Sequence, residues 1–134
     1  MDLHFAQHQN ELDVQHGGLM FDNQPFTGSL HREASNTTGE AICHYQNGKK
    51  NGIFKEWYPG GTIKEVSMFR DDELHGRRIC YWPNGTTRFH VNYSEGEMDG
   101  VYEEFADNGI TKQIKTYYKG NLIRVRKSLL GAVR

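Results

Sequence analysis

The chain of 134 residues has only two cysteines, three prolines and a formal net charge of -1. It has no apolar run near the ~20 residues that a membrane-crossing helix needs. Each shortage excludes something. Cys43 and Cys80 lack CxxC spacing and the density of a secreted disulfide scaffold, so both are expected to be reduced. A near-zero net charge removes general attraction to phosphate backbones, and no nucleic-acid partner is expected. Met1 to Gln15 has no basic start, apolar stretch or small-residue cleavage site, so no secretory signal is read and the expected compartment is the cytoplasm. GxSxG, P-loop and Rossmann fingerprints are missing, which points away from an enzyme and from a cofactor. Mean hydropathy is -0.78 with 36% hydrophobic residues, lean for a globule around one central core.

What the chain has instead is a beat. Gly52, Gly76 and Gly100 are spaced by 24 residues, and Gly61, Gly85 and Gly109 keep the same interval. Two aromatic series follow it: Tyr45, Phe69, Tyr93 and Tyr117, and Trp57, Tyr81 and Phe105. Coincident series in one register mark an array of small units in which each copy touches only the next.

One unit, Gly52 to Phe69, reads as a hairpin. Ile53 to Tyr58 gives no helix signal, Pro59-Gly60-Gly61 breaks the run, and Thr62 to Phe69 continues to the next break. The later turns contain Asn84-Gly85 and Asn108-Gly109, a pair suited to turns that need positive φ. Alternation predicts one face with the aromatic stripe and a second with Lys64, Arg88 and Lys112 at matched positions facing water. Asp72 replaces the glycine seen at 48, 96 and 120, and Ala106 replaces the ring seen at Tyr58 and Trp82, so the second connection and third turn are expected to differ in shape. Phe21, Gly28 and Leu30 align with Tyr45, Gly52 and Phe54, and Leu19 to Tyr45 is read as a worn starting hairpin. The expected fold is therefore all-β, an elongated single-sheet meander of repeated antiparallel β-hairpins. Short connections make successive hairpins neighbours. Cys43 and Cys80 would then lie three strands, ~14 Å, apart, too far for a disulfide.

The segments Pro25 to Gly28, Tyr45 to Gly52, Trp57 to Gly61 and Tyr93 to Gly100 resemble the MORN-repeat proteins, in particular a bacterial variant with a 24-residue period that includes the YwqK family of antitoxins. The likeness covers about Leu19 to Leu122. It divides the chain into an N-terminal extension (1–18), a repeat domain of about four units with a degenerate first copy (19–122) and a basic C-terminal capping tail (123–134). The resemblance implies a single-layer sheet that binds proteins, with antitoxin or immunity roles in bacterial members and membrane association in others.

Charge is unevenly spread. Glu95, Glu97, Asp99, Glu103, Glu104 and Asp107 fall in a stretch free of Lys and Arg, whereas Lys112 to Arg134 has seven basic residues and no acid. The preferred explanation is solvated sheet and tail positions whose opposite signs partly pair, and the alternative is a polarised docking surface. The candidate partner-binding set is Tyr58, Trp82, Tyr102 and Tyr118, expected to be the exposed rings, with Glu95, Glu97, Glu103 and Glu104. Trp57, Tyr81, Phe105 and the two glycine series are assigned to structure. His4 and His8 lack the further ligands a zinc site needs, and the other histidines fall outside the repeat register. The leading reading is a non-enzymatic protein-binding repeat protein, an antitoxin or immunity protein that neutralises a toxin by direct binding. The alternatives are a self-associating scaffold and a peripheral membrane adaptor attached weakly through the basic tail.

Overall fold

The computed structural model describes residues 1–15 and 17–127. Its strands are β1 (Asp2–His4), β2 (Leu12–Gln15), β3 (Gly18–Phe21), β4 (Gln24–Pro25), β5 (Gly28–Arg32), β6 (Ala41–Gln46), β7 (Lys49–Lys50) and β8 (Gly52–Trp57). They continue with β9 (Ile63–Arg70), β10 (Glu73–Leu74), β11 (Gly76–Tyr81), β12 (Thr87–Ser94), β13 (Glu97–Met98), β14 (Gly100–Phe105), β15 (Thr111–Tyr118) and β16 (Asn121–Lys127). The main sheet has 13 strands in the order β1-β5-β6-β8-β9-β11-β12-β14-β15-β16, with β7, β10 and β13 paired to β6, β9 and β12. Everything after β1 follows chain order, so the expected meander of hairpins is what forms.

The start differs from a simple worn hairpin. Gly28–Arg32 and Ala41–Gln46 pair as expected, but Gly18–Phe21 joins a separate three-stranded sheet, β2-β3-β4. Its place beside β5 is taken by β1, which runs parallel to it. In the 33–40 loop, Gly39 is needed for close approach: a Cβ there would lie 1.9 Å from the Trp57 carbonyl oxygen. The turn series of Gly61 projects back to position 37, and this close approach accounts for a glycine at 39 instead.

Within a hairpin the strands pair closely. β8 and β9 are in register from Gly52↔Phe69 to Glu56↔Glu65, then shift so that Trp57 faces Ile63. The residue skipped is Lys64. The same shift skips Arg88 between β11 and β12 and Lys112 between β14 and β15. The three matched cations are thus bulge residues, extra residues that kink a strand and re-aim a side chain.

This register corrects the single aromatic stripe. Phe69, Tyr93 and Tyr117 stand opposite Gly52, Gly76 and Gly100 and share a face with Phe54, Arg78, Cys80 and Tyr102. By alternation, Trp57, Tyr81 and Phe105 belong to the opposite face, with Ile53, Ile79 and Val101. The turn length together with the bulge sets this parity, which spacing alone does not reveal. The first face holds the most enclosed part of the repeats: Val91 and Ser67 are wholly buried and Tyr93 is 9% exposed.

Positive φ also falls elsewhere than expected. At 58–61 and its copies only the glycine is left-handed (Gly61 95°, Gly85 91°, Gly109 89°). Asn84 and Asn108 act through their side chains, accepting from the N–H of Thr86 and Ile110 at 3.0 Å each. Paired positive φ occurs in the other connections, at Asn47-Gly48, Asp71-Asp72, Glu95-Gly96 and Lys119-Gly120. Asp72 adopts φ 70° and its carboxylate accepts the Lys50 N–H at 2.7 Å, so the second connection keeps the common shape. The third turn does too, since Gly109 N–H donates to Ala106 at 2.9 Å, as Gly61 does to Tyr58.

After each such connection the chain bends at Gly52, Gly76 or Gly100, with φ of 104°, 95° and 103°. No atom lies within 4 Å of a Cβ built on Gly100, so the requirement there is purely conformational. Gly100→Ala is expected to cost about 1 to 3 kcal/mol in urea unfolding; an unchanged midpoint would show that the bend is not required. The cysteines lie on β6 and β11, three steps apart, and both are free.

Candidate functional site

The contacts that join one hairpin to the next decide what the sheet can present. In mid-sheet the bridged pairs are few: β9 and β11 share Ile79↔Val66 and Cys80↔Glu65, and β12 and β14 share Phe89↔Glu104 and His90↔Glu103. Further ties recur towards the ends, where β7, β10 and β13 pair with β6, β9 and β12 and the N–H of Asn51, His75 and Asp99 donates to the carbonyls of His44, Met68 and Asn92 at 2.9 Å. At one end, the N–H of Gly48, Asp72, Gly96 and Gly120 donates to the carbonyls of Phe26, Lys50, Leu74 and Met98 at 2.7 to 2.9 Å. At the other, Tyr58 Oη donates to the Tyr81 carbonyl at 2.6 Å and Trp82 Nε1 to the Phe105 carbonyl at 3.1 Å.

These ties relocate the expected contact residues. Tyr58, Trp82 and Tyr102 are half-buried, and of the four rings only Tyr118 is exposed, at 57%. Tyr102 stacks on Phe89 with centroids 5.3 Å apart and donates to Glu104 at 3.0 Å. Its phenol is pushed up to about 12, by burial first and then by Glu104. The carboxylates do not form one patch. Glu95 and Glu97 are exposed in a connection, Glu95 lying 3.6 Å from Arg70. Glu103 points to the Trp57 face and meets His90 at 3.4 Å, whereas Glu104 lies on the Phe69 face, 3.4 Å from Lys112. Burial raises the Glu104 carboxyl, but hydrogen bonds from Gln113, Tyr102 and Lys112 outweigh it and leave it below the usual carboxylate range.

A repeating unit of cation and ring emerges at the bulges. Lys64 Nζ lies 5.6 Å from the Tyr58 ring centroid and the Arg88 guanidinium 4.8 Å from that of Trp82. Ala106 offers no ring, and Lys112 turns to Glu104 instead. Lys50, at the position that Leu74 and Met98 hold in the later copies, places its Nζ over the Phe69 ring, 5.1 Å from the centroid. His75 also has a role that its missing register hid. Its Nδ1 accepts the Glu95 N–H at 3.2 Å, the task done by Thr27 for Asn47 and by Asp99 for Lys119. Three residue types accept at that position, so a search for identical letters passes over it.

Near the bulges, Arg78 donates to Glu65 at 3.1 Å and to Tyr93 at 3.4 Å, and wholly buried Ser67 donates to Glu65. Cys80 sits beside them, its thiol raised by burial, then by Glu65, from 9.0 to about 11. His4 contacts Glu33 and stacks on His31 while His8 meets Phe21, so the two are not joined. Among the described residues no group of three or more His, Cys, Asp or Glu is placed to hold a metal ion, and no helix is long and apolar enough to cross a membrane.

An open sheet of stacked β-hairpins, tied at both ends and bearing a cation at each bulge, is the architecture of a repeat protein. The family model described as MORN repeat variant matches residues 50–71 and 74–95, two copies 24 residues apart that each run from a return strand to the following connection. These two segments are thus similar to MORN repeats, and the hairpin geometry continues through 98–119 although Ala106 departs from the pattern. Repeats of this kind are in general non-catalytic units that bind proteins or membranes. A comparison with curated proteins found no match.

Two outcomes follow from these contacts. Tyr58→Phe keeps the ring over Lys64 but loses the hydroxyl, and is expected to lower unfolding stability by about 1 kcal/mol; no change would show that the tie is idle. A thiol raised in the fold contributes stability that is complete below about 9 and is lost as pH rises towards about 11. Thiolate is the reactive form, so iodoacetamide labelling of native Cys80 should keep accelerating up to about pH 11, where a free thiol levels off near 9.

Proposed function

We propose that the chain is a non-enzymatic binding protein whose repeat sheet docks a protein partner, acting as an antitoxin or immunity protein that neutralises a toxin by direct contact in the cytoplasm of a bacterium. The observation that carries this reading is the thinness of the core. Among the described residues only Leu3, Phe26, Cys43, Val91 and Tyr93 are buried hydrophobics, while Ile53, Met68, Val101, Tyr118, Leu122, Ile123 and Val125 are exposed by 42% or more. A single layer cannot cover both of its faces, and a docked protein would cover what the chain leaves open. The acidic part of the contact is assigned to Glu95 and Glu97, because both are exposed, whereas Glu103 and Glu104 are half-buried and serve contacts within the sheet. The self-associating scaffold is supported by one observation, the exposure of all seven residues of β16 at the sheet edge.

The tagged chain should capture a partner from cells of its source, and the interaction should persist between the two purified proteins. Glu95→Lys with Glu97→Lys is expected to weaken that binding about ten-fold while leaving the circular dichroism unchanged. Co-expression of the chain should restore growth arrested by the partner alone. A partner that is harmless, or a concentration-stable homodimer in light scattering with no captured protein, would replace neutralisation with scaffolding.

A further inference from the structure

The bulge cations are not equally satisfied, and the repeat itself supplies the comparison. Cys80 and Glu104 are the same position one period apart. Each faces Phe89 across a strand pair, and each has a second partner on its other side, Glu65 for Cys80 and Gln113 for Glu104. At Glu104 the chain's own carboxylate receives Lys112 at 3.4 Å, Gln113 at 3.2 Å and Tyr102 at 3.0 Å. One repeat earlier a thiol stands in that place. Neither Lys64 nor Arg88 makes an ion pair among the described residues, and the nearby Glu65 is already engaged by Arg78 and Ser67.

A hollow of about 220 Å³ lies between them, lined by Tyr58, Lys64, Glu65, Arg78, Cys80, Tyr81, Arg88 and Phe89. Three cationic side chains there face one carboxylate. The floor is apolar, from Cys80 and Phe89. The volume is below the ~300 Å³ at which pockets for cofactors and drug-sized ligands begin, and suits a single side chain. Lys64 and Arg88 stand on strands two steps apart, ~10 Å, so a carboxylate entering midway lies ~5 Å from each, within the range where opposite charges act strongly. Rings at Tyr58 and Trp82 hold both cations in place before anything binds, which lowers the ordering cost.

We propose that this hollow is a subsite for a glutamate or aspartate side chain of an acidic peptide segment in the docked partner, a carboxylate taking the position that Glu104 takes one repeat later. The site rests on the protein-binding reading and narrows it: the partner presents an acid, with an aliphatic stem over Phe89, to the Lys64 and Arg88 edge. A small inorganic anion would match the charge and leave the apolar floor uncovered.

The test is titration of the full chain with a hexaglutamate peptide, read by Trp82 fluorescence and by calorimetry, with hexaglutamine, inorganic phosphate and oligothymidylate as the other arms. Hexaglutamate should bind and hexaglutamine should not. Lys64→Gln with Arg88→Gln, both at exposed positions, should weaken hexaglutamate about ten-fold or more with the circular dichroism spectrum unchanged. Cys80→Glu, which supplies the internal carboxylate, should weaken it similarly. Equal binding by wild type and the double variant overturns the site, and phosphate or oligothymidylate binding tighter than hexaglutamate at the same salt overturns the ligand class. A natural partner held equally well by the double variant would sink this site while sparing the protein-binding reading; absence of any partner would sink that reading without touching the peptide titration.

Discussion

The fold depends on one constraint: neighbouring hairpins share only two bridged residue pairs in mid-sheet, so hydrogen bonds at their ends complete the stacking. The N–H of the second turn residue, donated to the carbonyl 22 positions earlier, repeats four times, from Gly48 to Gly120. A ladder of this kind links each copy to its neighbour alone, which is how a repeat array accumulates stability without a central core. It also accounts for the turn chemistry. The donating residue must be left-handed, hence glycine at three of the four positions, and at the fourth an aspartate whose carboxylate receives an additional N–H.

Much of this was legible. The 24-residue beat of glycines and rings gave the hairpins, their order and the separation of the cysteines, because each reflects a local backbone requirement repeated in sequence. Parity was not legible. Whether Trp57 and Phe69 share a face depends on one skipped residue, Lys64, and a bulge leaves no mark in composition. The ends were hidden as well: β1 takes the place beside β5, and β16 departs from the array because Arg124 stands where Gly100 bends the chain. With one extra residue where interior copies insert two, β16 pairs along β15 from Asn121 to Lys127. The segment beyond Lys127, expected as part of the basic tail, lies outside the described residues.

The candidate surface was legible in kind but not in membership. Charges and rings were visible, yet Tyr58 and Trp82 hold repeats together, and Glu103 and Glu104 lie on opposite faces. What spacing had marked only as water-facing, the Lys64, Arg88 and Lys112 row, turns out to be where the strands bulge and where one copy answers its own cation while the preceding one does not. Identical backbone geometry with non-identical side chains lets a repeat scaffold carry a specific surface. The regular hydrogen bonds fix the spacing, and single substitutions such as Cys80 for Glu open individual sites.

Native-state hydrogen exchange at Asp72, Gly96 and Gly120 tests the central claim most directly. These amides sit in exposed connections, where a turn N–H with no partner exchanges near its unstructured rate. The ladder predicts strong protection, close to that of the β9 and β12 strand interiors. Exchange at the unprotected rate, in a protein whose strand amides remain protected, would mean that the hairpins are not tied through their turns.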